Sequence, residues 1–283
     1  MTDSARPGTE VALPGESGVP DWKTFARSGE WRRAQAAASL TGADPDIVAA
    51  LSSLSALQAD VRARKYPAAR RSLSAYEDAL SELNTRAQGE AALLRSLAAP
   101  EVLTQALGAL EDGSGEAHPG ELQTKLGPAH DHPLTRAEAL NALGVLHALR
   151  EEEGAARARF EEALTHDAGH YRARMNIGNL DLEAGRLPEA EAAYREVLKL
   201  APEYDGAHHN LGVALRRQGK LYESVGSIRK AQRLGVSGAR AAAKEDMQEQ
   251  LRLNPHLRWI RAAIFIGVLL LLGVLLWLNR GRA

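Results

Sequence analysis

A period of 34 residues runs through residues 137–236 and constrains this chain more than any other feature. The pairs Leu143-Gly144, Ile177-Gly178 and Leu211-Gly212 recur at that spacing. So do Ala156, Ala190 and Ser224, then Phe160, Tyr194 and Ile228, then Ala163, Val197 and Ala231. Gly185 and Gly219 match as well, each followed two residues on by Leu187 or Leu221, and Pro202 closes the second unit. Two antiparallel helices per unit satisfy the pattern. Gly in the first helix lets its partner approach, and Ala near the start of the second fits the tight crossing. Phe160, Tyr194 and Ile228 are expected to fill the gap between neighbouring units. Gly185 and Gly219 supply corners, because glycine reaches the left-handed region without steric cost. One such unit cannot bury its apolar face alone, so units must stack.

These residues resemble the tetratricopeptide repeat, with three units over residues 134–236. Glu151 stands where the first unit's corner Gly belongs, and the run Glu151-Glu152-Glu153-Gly154 is expected to shift that turn. Residues 237–257 read as a capping helix and juxtamembrane segment. Residues 21–110 are helical in pattern, with Ile47, Leu51, Leu54, Leu57 and Val61 on one face. Trp31 aligns above Tyr66 and Ala34 above Ala69, so this section is either a set of degenerate repeats or an unrelated bundle. Residues 111–133, rich in Gly, Pro and His, read as a flexible linker between two helical sections.

The chain ends in an uncharged run of 18 residues, Ala262 to Asn279. As a helix it is about 27 Å long, close to the thickness of a bilayer's hydrocarbon core. Trp259 and Trp277 lie near its ends, and Arg258, Arg261, Arg280 and Arg282 flank it. The expected fold class is therefore all-α: a helical solenoid of tetratricopeptide type with a single C-terminal transmembrane helix in residues 258–283. From Asp205 onward there are 13 Lys or Arg against 5 Asp or Glu, and before it 22 against 31. Arg240, Lys244, Arg252, Arg258 and Arg261 precede the span, which by the positive-inside rule keeps the large domain cytoplasmic. Ala263 and Gly267 form a small-xxx-small pair suited to self-association.

Composition excludes several chemistries. Cys is absent, which removes disulfides, thiolate metal sites and a cysteine nucleophile. Residues 1–20, rich in Pro, Gly, Ser and Glu, are expected to be disordered and do not form a secretory signal. The 28 Arg against 7 Lys fit a GC-rich bacterial source. No phosphate-cradling Gly loop, His-Glu-x-x-His helix or nucleophile elbow occurs, so no enzyme and no cofactor are expected. His130, Asp131, His132 and His118 read as solvated linker residues rather than a metal site. Arg216, Arg217, Lys220, Arg229, Lys230 and Arg233 form a basic cluster, but too few aromatics accompany it to indicate nucleic acid.

What stacked hairpins do is bind. The resemblance implies that the first helices line a concave groove for a protein or peptide. It assigns to that groove Asn141, Val145, Arg172, Asn176, Asn179, His209, Asn210, Val213, Arg216 and Arg217. Asn176 and Asn210 stand at equivalent places one period apart; Asn offers both donor and acceptor to a peptide backbone, and the alternative for these two is helix-to-helix bonding within the array. The Arg residues favour an acidic ligand. Asn141 and Gly206 stand where the family's carboxylate clamp has Lys, which argues against that type of tail binding. The expectation is a membrane-anchored adaptor, and the alternative is a structural subunit of a membrane complex with no groove role.

Overall fold

A computed structural model of the chain describes residues 21–113 and 115–253, with side chains through Arg240. All regular structure among these residues is helical. The chain divides between Leu200 and Ala201 into two compact units. The first holds α1 (Trp22–Arg27), α2 (Trp31–Leu40), α3 (Pro45–Arg62), α4 (Tyr66–Arg86), α5 (Gln88–Leu97) and α6 (Pro100–Asp112). It continues with α7 (Pro119–Lys125), α8 (Gly127–Asp131), α9 (Pro133–Leu149), α10 (Glu153–His166), α11 (Tyr171–Glu183) and α12 (Leu187–Leu200). The second holds α13 (Asp205–Arg217) and α14 (Leu221–Leu253).

Besides the junction of α2 and α3, where Gly42 (φ 68°) makes the same turn and the Ala43 N–H reaches Ala38 at 3.0 Å, one corner is built in five helix hairpins. Gly29, Arg64, Glu151, Gly185 and Gly219 have φ of 74°, 58°, 62°, 76° and 81°. At each, the next residue's N–H reaches back five positions: Glu30 to Phe25, Lys65 to Asp60, Glu152 to His147, Arg186 to Asp181 and Lys220 to Leu215, at 2.8–3.0 Å. That is the long bond of a Schellman turn, which satisfies a carbonyl orphaned at a helix end. The turn at Glu151 is not shifted as expected. The backbone there makes the same turn with a side chain in the region that glycine occupies at 185 and 219. Five positions beyond each corner lies Ala34, Ala69, Ala156, Ala190 or Ser224, and all five are buried. The helix pairs α1–α2 and α3–α4 thus share the hairpin of the 34-residue units.

The glycines at 144, 178 and 212 do what their spacing implies, with one change. A Cβ on Gly144 would lie 2.5 Å from the ring of Phe160, one on Gly178 2.9 Å from the Tyr194 ring, and one on Gly212 2.5 Å from Ile228. Each large side chain therefore seats on the glycine of its own hairpin, rather than only between neighbouring units.

Between the corners at Arg64 and Glu151 lies an insertion, α5–α8. Residues 111–133 are not a linker in the structure. They contain α7 and α8, and Leu122, Leu126 and Ala129 are buried at 3%, 1% and 0% exposure. The Thr135 hydroxyl donates to the Ala129 carbonyl at 2.7 Å, and Arg136 donates to that of His130 at 2.7 Å. One apolar core runs from Trp22 through Leu122 and Leu126 to Leu146. Beyond the insertion α9 lies beside α3 as well as α11.

In the second unit α14 continues from Leu221 to Leu253 without a break, so residues 237–253 extend the third hairpin's second helix instead of forming a separate cap. The expected disordered segment 1–20 and the expected span 258–283 lie outside the described residues. Among the described residues, no helix is long and apolar enough to cross a membrane.

Candidate functional site

The groove positions of the first unit are largely used by the molecule itself. Asn141 is 1% exposed; its amide donates to Glu138 at 3.2 Å and its carbonyl accepts from Asn176 at 2.9 Å. Asn179 accepts from the Tyr194 hydroxyl at 2.9 Å. Val145 packs against the core between α9, α10 and α11. For Asn176 the contact matches the helix-to-helix alternative. Arg172 is half-buried.

Glu138 is the centre of this region, and the sequence reading did not single it out. Its side chain is fully buried. One carboxylate oxygen lies 3.3 Å from Nε of Arg64, and the other lies 3.0 Å from Nε2 of His170. His170 caps α11: its Nδ1 accepts from the Ala173 N–H at 3.2 Å. A neutral ring must then carry its proton on Nε2, facing the carboxylate. Tyr66 joins from the start of α4; burial pushes its hydroxyl pKa up, and the charge of Glu138 adds to that rise. Nearby, Arg62 donates to both oxygens of Asp167 at 2.6 and 2.7 Å. A buried carboxylate is stable only when paired and hydrogen-bonded, and here the corner of α3–α4 supplies the charge for α9. The one signal available was a Glu inside the apolar run of α9; its partners lie far away in the chain.

A second ion network ties α10 to α11. Asp181 accepts from Arg157 at 2.5 Å and from Arg186 at 2.8 Å, and Arg186 also reaches Glu153 at 2.5 Å.

The second unit presents its candidates differently. On α13, His209, Arg216 and Arg217 are exposed, while Asn210 and Val213 are half-buried. The neighbouring His208 is buried, and its Nε2 lies 3.0 Å from the Pro202 carbonyl oxygen. This surface is basic and polar, and it suits a ligand with carboxylates.

The histidines of 111–133 separate. His132 is 6% exposed and caps α9 through Nδ1, which accepts from the Leu134 N–H at 3.2 Å. Burial, aided by the charge of Arg136, lowers its pKa to about 4. His130 stays beside Asp131 at the surface. His118 sits with Glu116 and Glu121 in a cluster of ligand size. Glu116, however, is already held by Lys125 and by the N–H groups of Ala117 and His118; the Lys125 bond is the first cause of its pKa falling to about 2.

Comparison with known proteins finds a repeat family over part of the chain. Residues 178–219 match the family model described as TPR repeat, which supports a tetratricopeptide-repeat protein. No curated protein matches the chain. Among solved structures it is similar to one described as the crystal structure of MamA, at 18% identity and a TM-score of 0.40, covering 60% of this chain and 93% of that one. A second, described as the crystal structure of MamA protein, is 19% identical with a TM-score of 0.39, covering 68% of this chain and 94% of that one.

Proposed function

We propose that this chain is a non-enzymatic scaffold that recruits a protein partner through the face of α13, while residues 258–283 hold it at the cytoplasmic side of a membrane as a single span. The carrying observation is the split among the groove positions. Asn141, Asn176 and Asn179 spend their polar groups on the array, whereas His209 and Arg216 are exposed. Arginines on such a surface donate paired hydrogen bonds to carboxylates, so an acidic peptide segment is the partner chemistry that fits. Tethering then confines the partner to a thin layer and raises its effective concentration there. The match to a repeat family of binding modules supports the scaffold reading, and the uncharged run from Ala262 to Asn279 supports the anchor.

Photo-crosslinking in intact cells tests the recruitment. A crosslinker at His209 is expected to capture a partner that Arg216→Glu loses, while one at Gln35, on α2, captures none. The membrane part is tested by alkaline extraction: the full chain stays with the membrane, and removal of residues 258–283 releases it. A second reading, a structural subunit of a membrane complex without a groove role, is favoured by the internal use of Asn141 and Asn176. It predicts that Arg216→Glu changes nothing while replacement of the span breaks assembly.

A further inference from the structure

The outward side of α14 carries a stripe that no described residue covers. Tyr222, Gly226, Arg229, Arg233, Val236 and Arg240 follow at steps of four and three, which places them on one side of the helix. All six are exposed, Tyr222 at 94% and Val236 at 53%. The opposite side packs on α13: the Ser224 hydroxyl donates to the Gly212 carbonyl at 2.7 Å, and Ala231 is buried. Glu223 is the sole acidic residue between Leu221 and Arg240. Among the described residues, Arg229, Arg233 and Arg240 have no acidic partner.

Three guanidinium groups with no carboxylate partner among the described residues, interleaved with an exposed Tyr and an exposed Val, ask for an anionic surface with an apolar interior. A second copy does not fit, because pairing stripe to stripe sets Arg against Arg. We propose that this stripe docks anionic phospholipid headgroups, with Arg229, Arg233 and Arg240 donating hydrogen bonds to phosphate oxygens and Tyr222 seated at headgroup level. The inference rests on the membrane reading, since the uncharged run that starts at Ala262 brings α14 near the lipid. It adds that the helix lies against the bilayer and senses its charge. The repeat unit is thereby oriented as well as tethered.

The chain has no Cys, so Val236→Cys in the full-length protein takes a polarity-sensitive fluorophore at one place. Vesicles of phosphatidylcholine alone are compared with vesicles in which about a third is phosphatidylglycerol, an anionic surface that attracts basic residues. The emission is expected to shift to the blue on the anionic vesicles only, and the shift fades as salt shortens the screening length. Replacing Arg229, Arg233 and Arg240 by Gln weakens the anionic preference about fivefold per arginine. Equal emission on both vesicles overturns the proposal, as does a shift that survives all three substitutions. Polyglutamate producing the shift where anionic vesicles do not also overturns it, in favour of an acidic polypeptide. Flotation with the neutral vesicles reads the anchor separately. A chain that fails to float there yet still shifts on anionic vesicles sinks the span and upholds the stripe.

Discussion

The hairpins α1–α2 and α3–α4 and the hairpins α9–α10 and α11–α12 use the same corner and the same buried Ala, yet they divide bulk differently. Seven positions before the corner the later pairs have Gly144 and Gly178, and nine positions after it they have Phe160 and Tyr194. The earlier pairs have Trp22 and Leu57 at the first of these places and Ala38 and Leu73 at the second. All eight are buried. Neither place is tied to one residue size: α1–α2 reverses the order, large before the corner and small after it, and α3–α4 has a leucine at both. Where a ring seats on a glycine, as at Gly144 and Gly178, close packing makes either a void or an overlap costly.

Substitution at this pair is the strongest way to break the comparison. Phe160→Ala is expected to cost about 3–5 kcal/mol, as for a fully buried aromatic. Gly144→Ala costs about 1–3 kcal/mol, because its Cβ would lie 2.5 Å from the Phe160 ring. The double variant should cost less than the sum, with a coupling of about 1 kcal/mol or more read from denaturant melts. Strict additivity would show that the ring and the glycine do not share one space.

This division also explains what could be read beforehand. The 34-residue units were legible because Gly, aromatic and corner Gly recur together. The hairpin α3–α4 was half-hidden because Leu57 replaces the helix Gly and Arg64 replaces the corner Gly, leaving the pairs Trp31 with Tyr66 and Ala34 with Ala69 as markers. The insertion misled in another way. Its Gly and Pro residues read as loop, but Pro119 and Pro128 stand in first turns, where proline's fixed φ suits a helix. Leu122 and Leu126, four apart, were the helical signal beneath that composition. Of the groove positions, the exposed ones on α13 were legible by register. The internal use of Asn141 was not, because its neighbour Glu138 is paired across the fold by Arg64.

The junction of the insertion with the repeats gives a pH test. His132 and His170 both cap a helix through Nδ1, at α9 and at α11, but only His170 has a carboxylate beside it. With a folded pKa near 4 against 6.5, His132 binds its proton more weakly folded than unfolded. The stability it confers is complete above about pH 6.5 and is lost as pH falls toward 4, a change of about 3 kcal/mol. His132→Asn keeps an acceptor for the Leu134 N–H and cannot take up the proton. Its melting temperature should therefore fall less than the parent's between pH 7 and pH 4.5. Parallel curves would mean that other groups govern the acid limb.

The two non-glycine corners sharpen the comparison further, because Arg64 is held and Glu151 is not. Arg64→Ala leaves Glu138 buried with His170 and the Asn141 amide but without its guanidinium. Loss of a buried pair costs about 3–5 kcal/mol, and since Arg64 is itself 35% exposed, about 2 kcal/mol is the expected size. Glu138→Gln in the same background should restore part of it by removing the orphaned charge. A denaturant midpoint that does not move on Arg64→Ala would place the pair among surface bridges of no net value.

At Glu151 the smallest effect is expected, and it has the opposite sign. Glu151 is exposed, with φ of 62°, and makes no ion pair among the described residues. A non-glycine side chain in that region costs about 1–2 kcal/mol. Glycine removes the strain but gives the unfolded chain more freedom to lose, which returns about 0.5–1 kcal/mol. Glu151→Gly should thus raise stability by about 0.5 kcal/mol, a rise in midpoint that replicate melts can resolve. Arg64→Gly relieves the same strain at a corner of the same shape and should still destabilise, since it also unpairs Glu138. If both substitutions stabilise, backbone strain outweighs the Glu138 pair, and the corner of α3–α4 does not brace α9.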